Sequence, residues 1–384
     1  MPGTTEPDLP AASAGRRRPG RLAPVLGKAR KMLQDALAEA GYPARVLVAC
    51  SGGPDSLALA AVAAYFARRG HVDGHPVSIG AVVVDHQLQP GSAAVAAAAA
   101  VTLQELGLDP ILVRKVEVAA AGTGPEAAAR DARHAALETA ADDTGASAVL
   151  LGHTLDDQAE QVLLGLARGS GTRSLAGMRP VRGRLLRPFL GLRRIETLEI
   201  CGVEGLDPWH DPSNTDVSFA RSRTRVEVLP MLEDKLGPGV AESLARTASI
   251  LQLDADYLEQ VADDTFARLQ QRTGTEFSQE LSLPEAALRE LAPAVRFRVI
   301  AKAAAAVGGQ QPSYQRLLAA EALLRRQGSA GPVELPGGVG VYRLSLAQLL
   351  AAEQSEAGQS VAGVPREGAR CGKLVFRPQQ RPQD

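Results

Sequence analysis

The chain has 384 residues, 45% of them hydrophobic, enough to core two domains and too many for a disordered protein. A formal net charge of −1 excludes a globally basic nucleic-acid binder, and three dispersed cysteines, Cys50, Cys201 and Cys371, exclude a C-x-x-C zinc or redox motif. No apolar stretch is long enough for a membrane helix and no secretory signal pattern opens the chain, so a cytoplasmic protein without membrane contact is expected.

Residues 1–22, rich in Pro, Gly, Ala and Arg, are expected to form a disordered tail, and the polar residues 351–384 a second tail. Between them a helix is predicted over 24–40. The run Val46, Leu47, Val48, Ala49 then predicts a strand buried on both faces. A helix over 55–69, a strand over 77–86, an alanine-rich helix over 92–107 and a strand over 111–118 follow. The next elements are a helix over 125–141, a strand over 146–153 and a helix over 155–168. Strands alternating with helices predict an α/β fold, a doubly wound parallel sheet, for residues 23–217. Ligands of such sheets bind at the carboxyl ends of the strands. The polar clusters fall there: residues 51–56, Asp85-His86, and 153–157. Beyond residue 217 helical spacing dominates 217–236, 240–272, 285–307 and 313–326. Residues 333–344 predict a small hairpin turning at Gly337-Gly338. Residues 218–350 are thus expected to be a smaller, mostly helical second domain ending in that hairpin.

The junction after the first strand carries the most chemistry. It reads Ser51, Gly52, Gly53, Pro54, Asp55, Ser56. The glycines allow a sharp turn and close approach of an anion. Pro54 suits a first helical turn, where free amides and the helix dipole favour phosphate. No lysine stands nearby, so this is not the G-x-x-x-x-G-K-[ST] loop. Asp55 beside phosphates calls for a bridging cation, and Mg²⁺ is the natural one. A second feature is the stretch 168–194, with eight arginines (168, 173, 179, 182, 184, 187, 193, 194) and no acid. Such a stretch suits phosphate or RNA better than a merely solvated loop.

The loop resembles that of the ATP pyrophosphatases known as the PP-loop superfamily, which cleave between the α and β phosphates. Residues 152–171, GHTLDDQAEQVLLGLARGSG, narrow the resemblance to the tRNA(Ile)-lysidine synthetase family. Three further segments agree: Val84-Asp85-His86-Gln87-Leu88; Glu126 with Arg130 and Arg133; and Trp209 through Asp211, Pro212, Ser213, Asn214 and Asp216, followed by Phe219, Arg221, Arg223 and Arg225. Residues 313–344 echo the family's C-terminal helix and LPGG hairpin. Gln89, Gln161, Gly165 and Ser222 depart from the family pattern.

The resemblance implies an ATP-dependent ligase. Its partners would be isoleucine tRNA bearing a CAU anticodon, ATP and free L-lysine. ATP would adenylate the wobble cytidine, and lysine would then displace AMP. By carry-over, residues 51–56 hold ATP, Asp55 carries Mg²⁺, and Arg133, helped by Arg130, stabilises the α-phosphate. His153 contacts the nucleotide. Asp157 positions the lysine amine or accepts its proton, with Asp156 and Glu160 as companions. Arg173, Arg182, Arg184, Arg221, Arg223 and Arg225 are expected to grip tRNA. The alternatives are a tRNA thiolase, which needs reactive cysteines or a cluster, and an ATP sensor without chemistry.

Overall fold

A computed structural model describes residues 22–85, 87, 91–116, 125–169, 171–273, 280–326, 330–348 and 372–379. His86, Leu88, Gln89 and most of both expected tails lie outside these residues, as do the Glu126 side chain and Cys371. The chain divides into two compact units, Met1–Leu251 and Gln252–Asp384. No helix among the described residues is long and apolar enough to cross a membrane.

The first unit follows the predicted alternation. Helix α1 (Pro24–Glu39) precedes strand β1 (Arg45–Cys50), and helix α2 (Pro54–Arg69) follows it. A two-residue pair, β2 (His71–Val72) and β3 (His75–Pro76), leads to β4 (Ser78–Asp85) and α3 (Ser92–Glu105). Then come β5 (Ile111–Lys115), α4 (Pro125–Thr144), β6 (Ala148–Leu151) and α5 (Leu155–Ala167). Within the arginine-rich stretch lie α6 (Thr172–Leu175), β7 (Val181–Arg182) and β8 (Leu185–Leu186), ahead of α7 (Arg194–Glu204). The main sheet has the order β5-β4-β1-β6-β8-β7. All its pairings are parallel except β7 with β8.

Side chains alternate across β1, and both faces find cover. Val46, Val48 and Cys50 pack with Leu33 and Leu37 of α1, Leu59 and Val62 of α2, and Ile200 of α7. Leu47 packs on the other face with Leu137, Ala140 and Ala141 of α4. The sheet is therefore wound on both faces, as its apolar strands require. The order of connection reverses between β1 and β6, so a crevice opens at their carboxyl ends. In the arginine-rich stretch, where no strand is predicted, residues 181–186 extend the sheet because Leu185 and Leu186 are buried against it.

After η1 (Pro212–Thr215), the predicted helix over 217–236 is broken into a short turn, α8 (Ala220–Arg223), a π-helical turn (Thr224–Val228) and α9 (Leu229–Leu236). Helix α10 (Val240–Leu269) contains the division between the units.

The second unit is less helical than its sequence pattern. Strands β9 (Gln271–Thr273) and β10 (Glu280–Pro284) precede α11 (Glu285–Glu290), α12 (Pro293–Ala306) and α13 (Tyr314–Ala322). Pro293 starts a new helix, which splits the predicted helix 285–307. The hairpin is real: β11 (Ala330–Leu335) and β12 (Val339–Leu344) pair across Gly337 and Gly338, both at positive φ. It is one part of a five-stranded antiparallel sheet, β11-β12-β13-β10-β9. The strand β13 (Lys373–Pro378) comes from the segment expected to be a polar tail. Its apolar core, Leu374, Val375 and Phe376, is almost fully buried. Three apolar residues in a polar stretch are too few for composition to reveal a strand that two neighbours stabilise.

Phe376→Ala should therefore cost about 3–5 kcal/mol, the usual loss for a deleted core aromatic. Urea unfolding measures it; a tail without structural role would give no change.

Candidate active site

Strand β1 delivers the phosphate loop to the crevice. Gly52 adopts φ +82°, which only glycine takes without strain. The Ser51 N–H donates to Ser56 Oγ (3.1 Å), and the Ser56 hydroxyl donates to the Gly53 carbonyl (2.9 Å). The two serine hydroxyls lie 3.3 Å apart. The Trp209 N–H donates to the Gly52 carbonyl (3.0 Å), so the Trp209 segment closes the outer side of the loop. The inner side is closed by the end of β6. A Cβ on Gly152 would come within 2.9 Å of the Asp55 carbonyl oxygen, so residue 152 must be glycine for the two strand ends to meet. Cys50, expected only to pack, also receives the Gly52 N–H on its sulfur at 3.4 Å.

Helix α5 brings the acids. Thr154 is its N-cap in a full capping box: the Thr154 N–H and hydroxyl both donate to Asp157 Oδ2, at 2.8 and 3.0 Å. Asp157 thus caps the helix and also faces the crevice. Its Oδ1 accepts from Arg194 Nη2 (3.1 Å) and Arg225 Nη2 (3.2 Å). Asp156 accepts from Arg193 Nε (3.1 Å) and from the Arg194 backbone N–H (2.7 Å). Glu160, with no exposed surface, is held by Arg225 Nε (2.6 Å) and Nη2 (2.9 Å), with Arg221 Nε 3.4 Å away. Asp55 accepts from Arg194 Nε (3.1 Å) and the Thr197 hydroxyl (2.5 Å).

These surroundings set the charges. Burial raises the Asp55 carboxyl, partly offset by Arg194 and the Thr197 hydroxyl. Burial also raises Glu160 despite Arg225. For Asp157, burial is outweighed by Arg194, the Thr154 N–H and Arg225, so its carboxyl lies below the usual range. On the opposite wall burial lowers Arg133, and the facing guanidiniums of Arg130 and Arg221 lower it further. The same wall depresses His134 to about 4 and His153 to about 3, burial leading in both. Both imidazoles are therefore neutral at pH 7, and Arg187, lowered to about 10, stays charged. The result is a crevice in which arginine-bound acids stand near cations backed by neutral histidines, suited to a phosphorylated ligand.

The sequence-predicted residues are brought together with one sorting. Residues 51–56, Arg133, His153, Asp156, Asp157 and Glu160 meet at the ends of β1 and β6. Arg221 and Arg225, expected to grip RNA, instead turn inward onto Glu160 and Asp157, and Arg225 lies in the π-helical turn, a device common at functional sites. Arg223 is exposed and caps the Val217 carbonyl (2.7 Å). Arg173 and Arg182 are exposed, whereas Arg184 pairs with Asp142 (2.5 Å) and Glu138 (3.7 Å). Arg187, Arg193 and Arg194 also serve the interior, so the arginine stretch is not a uniform RNA face. Sequence reasoning missed Thr154, Arg194 and Thr197. The first could be read from the capping-box pattern; nothing local marks the other two.

Among the described residues no group of three or more His, Cys, Asp or Glu could hold a metal. A lone Asp55 at a phosphate loop still fits Mg²⁺, which takes one or two carboxylates together with nucleotide phosphates.

The PP-loop domain matches residues 26–232, and the TilS substrate binding domain matches residues 283–354. The tRNA(Ile)-lysidine synthase of Leifsonia xyli subsp. xyli is 51% identical over 77% of this chain and 86% of that protein. Those of Thermobifida fusca and Salinispora tropica are 46% and 45% identical. They cover 82% and 84% of this chain, and 94% and 95% of their own lengths.

Removing one partner of a buried ion pair strands the other. Arg225→Met should cost about 3 kcal/mol by leaving Glu160 underpaired, and adding Glu160→Met should recover most of it. Thermal unfolding of the single and double variants checks this.

Proposed function

The chain belongs to the tRNA(Ile)-lysidine synthase family, and from that membership we propose the substrates and residue roles of its reaction. It is a ligase of tRNA modification; ATP and tRNA are its substrates, and its PP-loop domain binds the ATP. The proposal is that free L-lysine is joined to the wobble cytidine of isoleucine tRNA with a CAU anticodon, in the cytoplasm.

In the first step the cytosine carbonyl oxygen attacks the α-phosphorus and pyrophosphate leaves. The amides of residues 51–56, with the hydroxyls of Ser51 and Ser56, hold the departing phosphates at the start of α2. Asp55 holds Mg²⁺, whose contribution when bound is to neutralise charge between the phosphates. Arg133 and Arg130 face the α-phosphate as charge builds there. His153 would contact the nucleotide, a role supported by its neutral imidazole and by an Nδ1 without a partner among the described residues. In the second step the lysine amine attacks the activated ring carbon, a C–N bond forms, and the C–O bond to AMP breaks. The amine must lose a proton before it can attack. Asp157, held below the usual carboxylate range, suits the binding of an ammonium better than the taking of its proton. Asp156 and Glu160 keep their arginines in place around it. The target base must leave the anticodon stack, which a single-stranded loop permits.

The observation that carries this reading is the meeting of the phosphate loop and the Asp156-Asp157 helix at adjacent ends of β1 and β6. A thiolase is not favoured. Cys50 and Cys201 are buried, and burial raises both thiols, Cys201 to about 11, away from reactivity.

Labelled lysine should enter isoleucine tRNA transcripts only with ATP, and absence of incorporation would refute the reading. Asp55→Ala should abolish pyrophosphate release in a folded protein. For RNA contact, Arg173 and Arg182 are the exposed candidates. Their joint replacement by Ala should weaken tRNA binding and reduce the salt slope by roughly 0.7–0.9 per lost phosphate contact, with ATP binding unchanged.

A further inference from the structure

The residue that joins the two halves of the site carries none of the roles above. Arg194 opens helix α7, and its guanidinium spans the crevice: Nε lies 3.1 Å from Asp55 Oδ2 and Nη2 lies 3.1 Å from Asp157 Oδ1. Its own backbone N–H donates to Asp156 Oδ2 at 2.7 Å. One residue thus touches both the phosphate loop and both aspartates of α5. The start of α7 is itself fixed. Glu196 accepts from the Arg193 N–H (2.8 Å) and from Lys28 (2.7 Å). Fully buried Thr197, one turn in, donates to the second oxygen of Asp55. Farther along, Cys201 Sγ donates to the Pro54 carbonyl at 3.4 Å, so α7 is packed directly against the first turn of α2.

We propose that Arg194 is a positioning residue for both steps of the reaction, its planar fork setting the distance and orientation of Asp55 relative to Asp157. The inference rests on the functional reading above, in which Asp55 serves adenylation and Asp157 serves lysine addition. Arg194 reaches neither the nucleotide nor the amine in that scheme; it acts through the two carboxylates. The fork matters because its nitrogens are held in one plane, so the two acids cannot drift independently. An ammonium is a point charge and reaches one acid well. Two carboxylates facing one buried crevice would otherwise repel and separate. Helix α7 supplies the rigidity, which is why the anchor sits on a helix start packed against α2 rather than on the neighbouring loops.

The test uses the full-length Arg194→Gln and Arg194→Lys variants and reads the steps separately. Pyrophosphate release with ATP and isoleucine tRNA, lysine omitted, reports adenylation. Labelled lysine added afterwards reports transfer. Misplacement of reacting groups by about 1 Å costs about 100-fold in rate. Arg194→Gln should therefore lower kcat about 100-fold in both steps, with the KM for ATP and for lysine little changed. Arg194→Lys should recover one step at most, because its ammonium grips one acid. Thermal melting of each variant shows whether it is folded. The inference is overturned by wild-type kcat in both steps for either variant. It is equally overturned by a loss confined to KM, by full rescue of both steps with lysine, or by activity that follows only the fraction of folded protein. If Arg194→Gln does not fold, Arg194→Lys, which keeps the charge and loses the fork, decides by the same criteria. Wild-type protein that performs neither step overturns the functional reading, and this inference with it.

Discussion

Four carboxylates, Asp55, Asp156, Asp157 and Glu160, stand at the ends of two adjacent strands, and their mutual repulsion is the constraint around which the first unit is built. Carboxylates crowded into a half-dry crevice would take up protons and draw apart unless cations lay among them. Arg193 and Arg194 come from the start of α7, and Arg221 and Arg225 from the segment after Trp209. Each comes from a part of the chain remote from α5, so the charge balance exists only once the unit has folded. Buried ion pairs of this kind are costly to assemble and add little net stability. Their persistence here makes sense as the condition for holding these acids together beside a phosphate loop.

The opposite wall answers to the same logic with the sign reversed. Arg130, Arg133 and Arg187 act on the same two histidines, and burial, seconded by these guanidiniums, keeps both imidazoles neutral.

Much of this was legible in the amino-acid order. The apolar run of β1 before Ser51-Gly52-Gly53, and the Gly152-His153 strand end before Asp156-Asp157, each mark a strand entering a helix, and an α/β sheet brings such ends together. What was hidden is partner choice. Arg221 and Arg225 look like RNA contacts in sequence because the acids they neutralise lie more than a helix away along the chain. Arg194 looks like one more arginine in a basic run for the same reason. Leu374-Val375-Phe376 was hidden because a short strand between two others needs no amphipathic pattern of its own.

The position of β13 has a bearing on how the second unit comes into being. It lies between β12 and β10, both of which precede it in the chain, and it supplies hydrogen-bond partners to both. Until residues 373–378 have cleared the ribosome, the sheet is two separate hairpin-like fragments with open edges facing each other. Pairing at such long sequence separation is also slow. The PP-loop unit, whose strands are all in place by residue 186, can be complete while its companion is still unformed. The strand nearest the carboxyl end is therefore the one that joins the two halves of the second unit's sheet, and trimming it would leave β12 and β10 with unpaired edges.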